Sequence, residues 1–506
     1  MNKKMILFYP EGLNRSTISS TILGRSIPYS LLYLERTIRH LDIDIIIIDG
    51  QFEKTYKNII GGIKYDLLLV GVSVITEYQL AGAKDFSLYV RTISNCYIIW
   101  RVWHPALLPR QVLNESFINY LIIGQGKMPL KEFIERGLSY KAIDNIDSLC
   151  SKRAEKIFAN SYTSFTSYDH IGEKINFSLI NNYVYNHLYD GKMCINYISS
   201  HGCLYKCGFC CLAILANRKW YGKDINKIIK DFKHMKKIAK INSIYFVDDI
   251  FFTNRERALN ICTCLINEKF NLKLNASAHA SSFLKLYNDT DIELMYKSGG
   301  RQIYISAEFR DQEVLDKIGE KISVDDNIKF VQFLSRHNII LRFTIMLRFP
   351  MNHEKDINLT IEMIRNAKLI NPQLKVVMIF FTPYPGTDLY ELACKNGFIH
   401  LKTLEEWSCH IVSRYHAPWV KYEYRMLAEI FTIFYSPLLN PRYVALFKYR
   451  KIVCLLMLIY HRKIWKMFKE NVFAEHNSAI LFFKRFSLGY ETFLEYTDYK
   501  KRQYLL

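Results

Sequence analysis

Two series of short apolar runs, each separated by helix-length segments, constrain the fold of this 506-residue chain. Five runs alternate with helix-length stretches such as Gln79–Ile93 over residues 1–137. Six more alternate with predicted helices such as Phe283–Lys297 between residues 193 and 400. Runs of this length between helices are typical of βαβ units, in which a parallel sheet is covered on both faces. The pattern therefore predicts an α/β protein with two successive α/β domains.

The two series differ in the architecture that they predict. The first series indicates a doubly wound, Rossmann-like open sheet, and its apolar runs are Met5–Tyr9, Ile43–Ile48, Asp66–Val74, Tyr97–Trp100 and Tyr120–Ile123. The second indicates a partial (β/α)6 barrel, and its runs are Cys194–Ser199, Ser243–Val247, Leu272–Ser277, Gln302–Ser306, Ile339–Met346 and Lys375–Phe381. The predicted divisions are domain 1–140, linker 141–192, barrel 193–400 and a mainly helical region 401–506. Both architectures bind ligands at the carboxyl ends of their strands.

The chain is basic, with 68 Lys and Arg against 48 Asp and Glu and a formal charge of +20. Such an excess suits nucleic acid, an anionic membrane or phosphorylated ligands, or it is spread over a solvated surface. Within the predicted C-terminal region, Arg442–Lys469 holds eight basic residues, no acids and several aromatic rings. This segment is either a helical cap or a peripheral membrane contact, and we do not expect a nucleic-acid partner.

No apolar stretch is long enough for a secretory signal or a membrane span, the longest being about Ile452–Tyr460. We therefore expect a cytoplasmic protein whose twelve cysteines are reduced. In such a protein a cysteine cluster indicates a metal site rather than disulfides.

Three cysteines, Cys203, Cys207 and Cys210, follow the first strand of the second series with the spacing C-x3-C-x2-C. Three thiolates can bind three irons of a 4Fe–4S cluster and leave the fourth iron open to another ligand. A structural zinc site prefers four protein ligands, and Cys211 adjoins Cys210 too closely to complete the set. The spacing favours a cluster, with a zinc site or an incidental triplet as alternatives.

The segment SSHGCLYKCGFCCLA, with an aromatic residue before its third cysteine, resembles the radical S-adenosylmethionine (SAM) superfamily. The resemblance implies that Cys203, Cys207 and Cys210 bind a catalytic 4Fe–4S cluster whose open iron chelates SAM. One-electron reduction then cleaves SAM to a 5′-deoxyadenosyl radical. It also implies that Phe209 lies beside the adenine.

Further segments of the second series are similar to the same superfamily. YFVDDIFFTNRER implies that Asp248 or Asp249 meets the SAM amino group or ribose, and KSGGRQIYISAEF implies a SAM contact at Glu308. TPYPGTDLYELACKNGF resembles the sixth-strand turn and following helix, in which Pro383, Pro385 and Gly386 are structural.

The first series resembles the cobalamin-binding domain that precedes many radical SAM barrels, through PYSLLYLERTIRHLDIDIIIIDG, LLLVGVSVITEYQ and YLIIGQGKMPLKEFIERG. The residues that this resemblance assigns to cobalamin are Ser73, Thr76, Arg101, Trp103, Gly124 and Gly126. His104 is either a further contact or an exposed loop histidine. No D-x-H-x-x-G motif is present, so no histidine is identified as a lower axial ligand of the cobalt. In addition, Arg101–Trp103 stands where the family has a glycine pair. These bulky side chains either block the approach of the corrin or face the lower side of the cobalt.

The resemblance implies a cobalamin-dependent radical SAM methyltransferase that acts on an unactivated carbon or phosphorus of a natural-product, lipid or peptide substrate. A low-potential flavodoxin or ferredoxin would supply the electron. The alternatives are a radical cyclase, mutase or oxidative enzyme without methyl transfer, and a basic binding module with a structural metal. A methylthiotransferase is a weaker alternative, because residues 1–140 contain a single cysteine, Cys96, and cannot hold a second cluster.

Overall fold

The structure of the chain is a computed structural model. It describes residues 3–11 and 27–420, except for 54, 64–65, 78, 140, 144, 154–155, 161–174, 181–186, 190–191, 239–240, 308–314, 316–317, 320–322, 352 and 411–416. Glu308 and the basic segment Arg442–Lys469 lie outside the described residues, as does the rest of the predicted C-terminal region beyond residue 420.

The first sheet contains seven strands, β1 (Lys4–Tyr9), β2 (Asp44–Asp49), β3 (Leu67–Ser73), β4 (Tyr97–Arg101), β5 (Tyr120–Ile122), β6 (Leu149–Arg153) and β7 (Lys156–Ala159). Its helices are α1 (Tyr29–Ile38), α2 (Tyr56–Ile63), α3 (Gln79–Ile93), α4 (Trp103–Leu107), α5 (Pro109–Leu113) and α6 (Lys127–Leu138). The strand order is β2-β1-β3-β4-β5-β6-β7, parallel up to β5 and antiparallel from β5 to β7. The order reverses between β1 and β3, where open α/β sheets form a ligand crevice.

The apolar runs form these strands because the sheet is buried on both faces. In β1, Met5, Ile6 and Leu7 are successive residues without solvent exposure, so neither face of the strand meets water. Continuous apolar runs are what a parallel sheet covered by helices requires.

The second sheet contains β8 (His187–Tyr189), β9 (Lys192–Tyr197), β12 (Ser243–Phe246), β13 (Lys273–Ala278), β14 (Gly300–Ser306), β15 (Ile340–Leu347) and β16 (Lys375–Phe380), while β10 (Ser200–Gly202) and β11 (Trp220–Gly222) form a separate ribbon. Its helices are α7 (Leu212–Leu215), α8 (Ile225–Ile238), α9 (Arg255–Asn267), α10 (Ala280–Leu286), α11 (Asp289–Lys297), α12 (Val324–Ser335), α13 (His353–Ile370), α14 (Asp388–Lys395) and α15 (Leu404–Cys409). The order β16-β15-β14-β13-β12-β9-β8 leaves β16 and β8 as edges, and the six strands from β9 to β16 are parallel. The prediction of a partial barrel with six parallel strands is confirmed.

Two segments differ from the sequence-based prediction. The predicted helix Phe283–Lys297 is divided into α10 and α11, because Asn288 caps α11 by accepting from the backbone N–H of Asp291 at 3.0 Å. The predicted linker 141–192 contributes β6 and β7 to the first sheet and β8 to the second. The domain boundaries themselves stay a prediction.

The carboxyl ends of the two sheets contact each other. The hydroxyl of Tyr33, on α1, donates to the carbonyl of Ile198 just after β9 at 2.9 Å, and Tyr384, after β16, donates to Glu77, after β3, at 3.1 Å. Ligands of either sheet would therefore lie in a common region.

Among the described helices, none is both long and apolar enough to cross a bilayer.

Candidate active site

The three predicted cluster cysteines lie on the loop between β10 and α7, at the carboxyl end of β9. All three side chains are partly exposed. The loop is fixed through Gly208, whose N–H donates to the carbonyl of Ile318 at 2.6 Å and whose carbonyl accepts from Leu389 of α14 at 2.9 Å. The loop is thus fastened to Ile318 and to the start of α14.

The neighbouring Cys211 differs from the triplet. It is buried, and burial raises the pKa of its thiol to about 12, whereas a metal-binding cysteine must be a thiolate. Within the described residues, no group of three or more His, Cys, Asp or Glu side chains is close enough to hold a single metal ion. This finding includes Cys203, Cys207 and Cys210, whose side chains are therefore not gathered around one point. Their binding of a cluster with one open iron stays a prediction.

The two aspartates after β12 fasten the chain that leads into Cys203. Asp248 accepts from the Ser199 N–H, the Ser199 hydroxyl and the Ser200 hydroxyl, each at 2.6 Å. Asp249 accepts from the N–H of Gly202 at 2.7 Å, and burial raises its pKa to about 6. Both carboxylates therefore support the loop, and their predicted contact with SAM stays a prediction.

An aromatic pair supports the middle of the loop, and no motif in the sequence predicts it. The Tyr205 ring stacks on the His279 ring, which follows β13, with centroids 3.8 Å apart and planes 7° from parallel. The Tyr205 hydroxyl also contacts Ser282. Further along, the Phe209 ring lies edge-on to Phe349 at 5.7 Å, and its contact with adenine stays a prediction.

The residues assigned to cobalamin come together at the carboxyl edge of the first sheet. Ser73 Oγ lies 2.9 Å from Ser30 Oγ, and Ser73 pairs in register with Arg101 on β4. Val102 has φ 89° and ψ −149°, a backbone conformation that a β-branched residue rarely adopts. Next to it, the indole of Trp103 is 39% exposed.

The prediction that His104 is an exposed loop histidine is wrong. Its side chain is fully buried in α4, where Nδ1 lies 3.2 Å from the hydroxyl of Thr76 and the ring packs edge-on against Trp407 at 5.9 Å. Burial lowers its pKa to about 3, so the imidazole is neutral. The Trp407 contact explains the burial.

Two features of this edge bear on a large, flat cofactor. Gly124, with φ 80°, turns the chain after β5, and Trp103 exposes a planar ring just after β4. Contact between a corrin and this indole stays a prediction. Arg101 is the bulky side chain that a corrin would have to accommodate.

Residues 197–364, from the end of β9 into α13, match the radical SAM superfamily model. These residues therefore form a radical SAM domain, as the cysteine motif predicts, and this similarity indicates an enzyme. The hypothesis of a basic binding module with a structural metal is set aside.

Similarity to known proteins extends over both sheets. An uncharacterized methyltransferase of Pyrococcus horikoshii is 22% identical over 414 residues, covering 78% of this chain and 84% of that protein. The radical SAM methyltransferase TsrM from Kitasatospora setae, solved with cobalamin and a [4Fe-4S] cluster, has a TM-score of 0.62 at 12% identity, covering 78% of this chain and 75% of that one. The cobalamin-dependent radical enzyme OxsB, solved with aqua-cobalamin and SAM, has a TM-score of 0.66 at 14% identity, covering 97% and 75%. The overall fold is shared with both structures.

Proposed function

We propose that this chain is a cobalamin-dependent radical SAM methyltransferase acting on an unactivated carbon or phosphorus of a natural-product, lipid or peptide substrate. The observation that carries the proposal is the position of the cysteine loop, at the carboxyl end of a half-barrel that contacts the carboxyl edge of a β2-β1-β3-β4-β5 sheet. The methyltransferase relative supports methyl transfer, and the two solved neighbours support cobalamin as the second cofactor.

In this proposal the residues of the chain bind and position the cofactors. Cys203, Cys207 and Cys210 would hold the cluster, and the residues around Trp103 would hold cobalamin. When bound, the cluster and SAM supply a substrate-activating radical, and cobalamin supplies the methyl group. A flavodoxin or ferredoxin as electron donor and a cytoplasmic location remain predictions.

The test is anaerobic reconstitution with iron, sulfide and corrinoid counted per chain, followed by turnover with methyl-labelled SAM. We expect about four irons and one corrinoid per chain, and labelled product. Replacing Cys203, Cys207 or Cys210 with Ala should remove the cluster and SAM cleavage, whereas the matched Cys211→Ala variant should keep both. A cluster that survives loss of the triplet would refute the proposal.

A second candidate is radical SAM chemistry without methyl transfer, such as ring formation, rearrangement or oxidation of a C–H bond. The strained Val102 and the bulky Arg101 and Trp103 favour it, because they crowd the edge where a corrin must approach. Four irons without bound corrinoid, together with deoxyadenosine but no labelled product, would support this candidate over the first.

A further inference from the structure

Basic side chains gather where the edge of the first sheet meets the barrel. Arg101 ends β4, Lys127 begins α6 and Lys223 follows β11. The Nζ atoms of Lys127 and Lys223 lie 5.4 and 5.0 Å from the centroid of the Tyr33 ring. The ring of His201, on β10, lies edge-on to the same tyrosine at 6.3 Å. Elements from both sheets thus place cationic groups around one aromatic ring.

The acids of this region are already engaged. Asp231 pairs with Lys223 at 2.8 Å and also accepts from the Tyr197 hydroxyl at 2.7 Å. Asp248, whose charge also acts on Lys223, accepts three hydrogen bonds from Ser199 and Ser200. Asp231 is thus paired with Lys223, and Asp248 adds negative charge on the same side of the cluster.

Lys127 lies in surroundings that disfavour its charge. Burial lowers the pKa of Lys127 well below its ordinary value, and the nearby charges of Arg101, Lys223 and Arg36 lower it further. A partly buried lysine among three cations gains stability when an anion binds beside it.

Arg101 has unused hydrogen-bonding capacity at the same place. Its Nε is buried and has no hydrogen-bond partner, while its Nη1 reaches the carbonyl of Ser30 only at 3.4 Å. A Cβ on Gly126 would lie 2.6 Å from Nε, so the guanidinium can pack against the turn only because residue 126 is glycine. Gly126 is also the N-cap of α6, and the N–H groups that begin a helix attract anions.

We propose that Arg101 and Lys127 bind a phosphate group at the junction of the two sheets, with Lys223 and Arg36 adding positive potential. A guanidinium, an ammonium and the start of a twelve-residue helix together are suited to a phosphate. The phosphate belongs either to the nucleotide tail of bound cobalamin or to a phosphorylated substrate. The first of these two assignments rests on the proposed function.

The first experiment measures thermal unfolding of the full chain reconstituted with iron and sulfide but without corrinoid. The chain is compared in low-salt buffer with inorganic phosphate and with chloride at equal ionic strength. Phosphate should raise the unfolding midpoint of the native chain but not of Lys127→Gln or Arg101→Gln. The control is Lys131→Gln, one turn further along α6 in an exposed pair with Glu135, which should respond to phosphate as the native chain does.

An undiminished response of Lys127→Gln to phosphate would mean that Lys127 does not contact the anion, and it would overturn the proposal. So would an absence of any phosphate effect on the native chain. Both readouts are independent of corrinoid binding, so they remain decisive even if the chain proves not to bind cobalamin.

The second experiment identifies the source of the phosphate by comparing cobalamin with cobinamide, a corrin that lacks the nucleotide and its phosphate. If the phosphate is that of cobalamin, the native chain should bind cobalamin at least about tenfold more tightly than cobinamide. Lys127→Gln and Arg101→Gln should remove this difference without weakening cobinamide binding. If it is that of a substrate, inorganic phosphate should still stabilise the cobalamin-saturated chain.

Discussion

Replacing Gly202 with alanine should disrupt the cysteine loop. Gly202 has φ 88°, and its N–H is held by Asp249, directly before Cys203. A Cβ at this position would overlap the carbonyl oxygen of Lys219 and lie 3.1 Å from its carbonyl carbon. Because Gly202 pairs with Trp220 across the β10–β11 ribbon, neither backbone can move without loss of that pairing.

The expected cost has two parts. A left-handed conformation costs a non-glycine residue about 1–2 kcal/mol, and forcing an extra methyl group into packed structure costs about 1–3 kcal/mol. The free energy of unfolding should therefore fall by about 2–5 kcal/mol. Displacement of Cys203, the next residue, should also lower the number of irons retained per chain.

The assay combines the thermal unfolding midpoint with iron content after anaerobic reconstitution. The control is Gly137→Ala on α6, where an added Cβ meets nothing within 4 Å and alanine favours the helix by about 1 kcal/mol. This control should keep its iron and unfold at the same or a higher temperature. If Gly202→Ala retained both its iron and its midpoint, the described path of the chain into Cys203 would be refuted.

Three further predictions concern the packing around the site. Asp231→Asn should lower the free energy of unfolding, measured by chemical denaturation, by about 3–5 kcal/mol, because it leaves the buried Lys223 without its ion-pair partner. The control is Lys233→Ala in the exposed pair with Glu268, which should lower it by less than about 1 kcal/mol. Tyr384→Phe removes the hydrogen bond to Glu77 and should cost about 1 kcal/mol; no change would mean that the bond does not hold the sheets together. Burial lowers the pKa of His104 to about 3 and that of His410 to about 4, so these rings stay neutral in the fold but take up protons in the unfolded chain below about pH 6.5. Stability should therefore fall as the pH drops from about 6.5 towards 4, and His104→Leu should flatten that profile.

The strands and their order along the chain were predictable because apolar runs are local. The predicted helix Gln79–Ile93 has the same bounds as α3, and the predicted barrel strands differ from the observed ones by about two residues at most. The division at Asn288 was also encoded locally, by the capping sequence Asn-Asp-Thr-Asp, but helical periodicity on both sides concealed it. The burial of His104 was not local, since it depends on Trp407, some 300 residues further along the chain.

The cysteine triplet could be predicted from its spacing, but the groups that hold it could not. Gly202 and Asp249 meet because β9 and β12 are neighbouring parallel strands, and Tyr205 meets His279 because β13 follows in the same sheet. A parallel sheet brings its strand ends to one edge, so residues far apart in sequence become neighbours there. Spacing identifies ligands on one loop, and it does not identify supports on the next strands.

The basic cluster extends this argument from one sheet to two. A formal charge of +20 is compatible with a fully solvated surface, and neither Lys127 nor Lys223 lies in a run of basic residues. Their charges become significant only because α1 carries Tyr33 into the barrel, where Lys127 from one sheet and Lys223 from the other lie beside the same ring. Like charges brought together by packing destabilise the fold unless an anion offsets them. A site of this kind is created by the docking of two domains, and its affinity for phosphate should therefore report on whether they are docked.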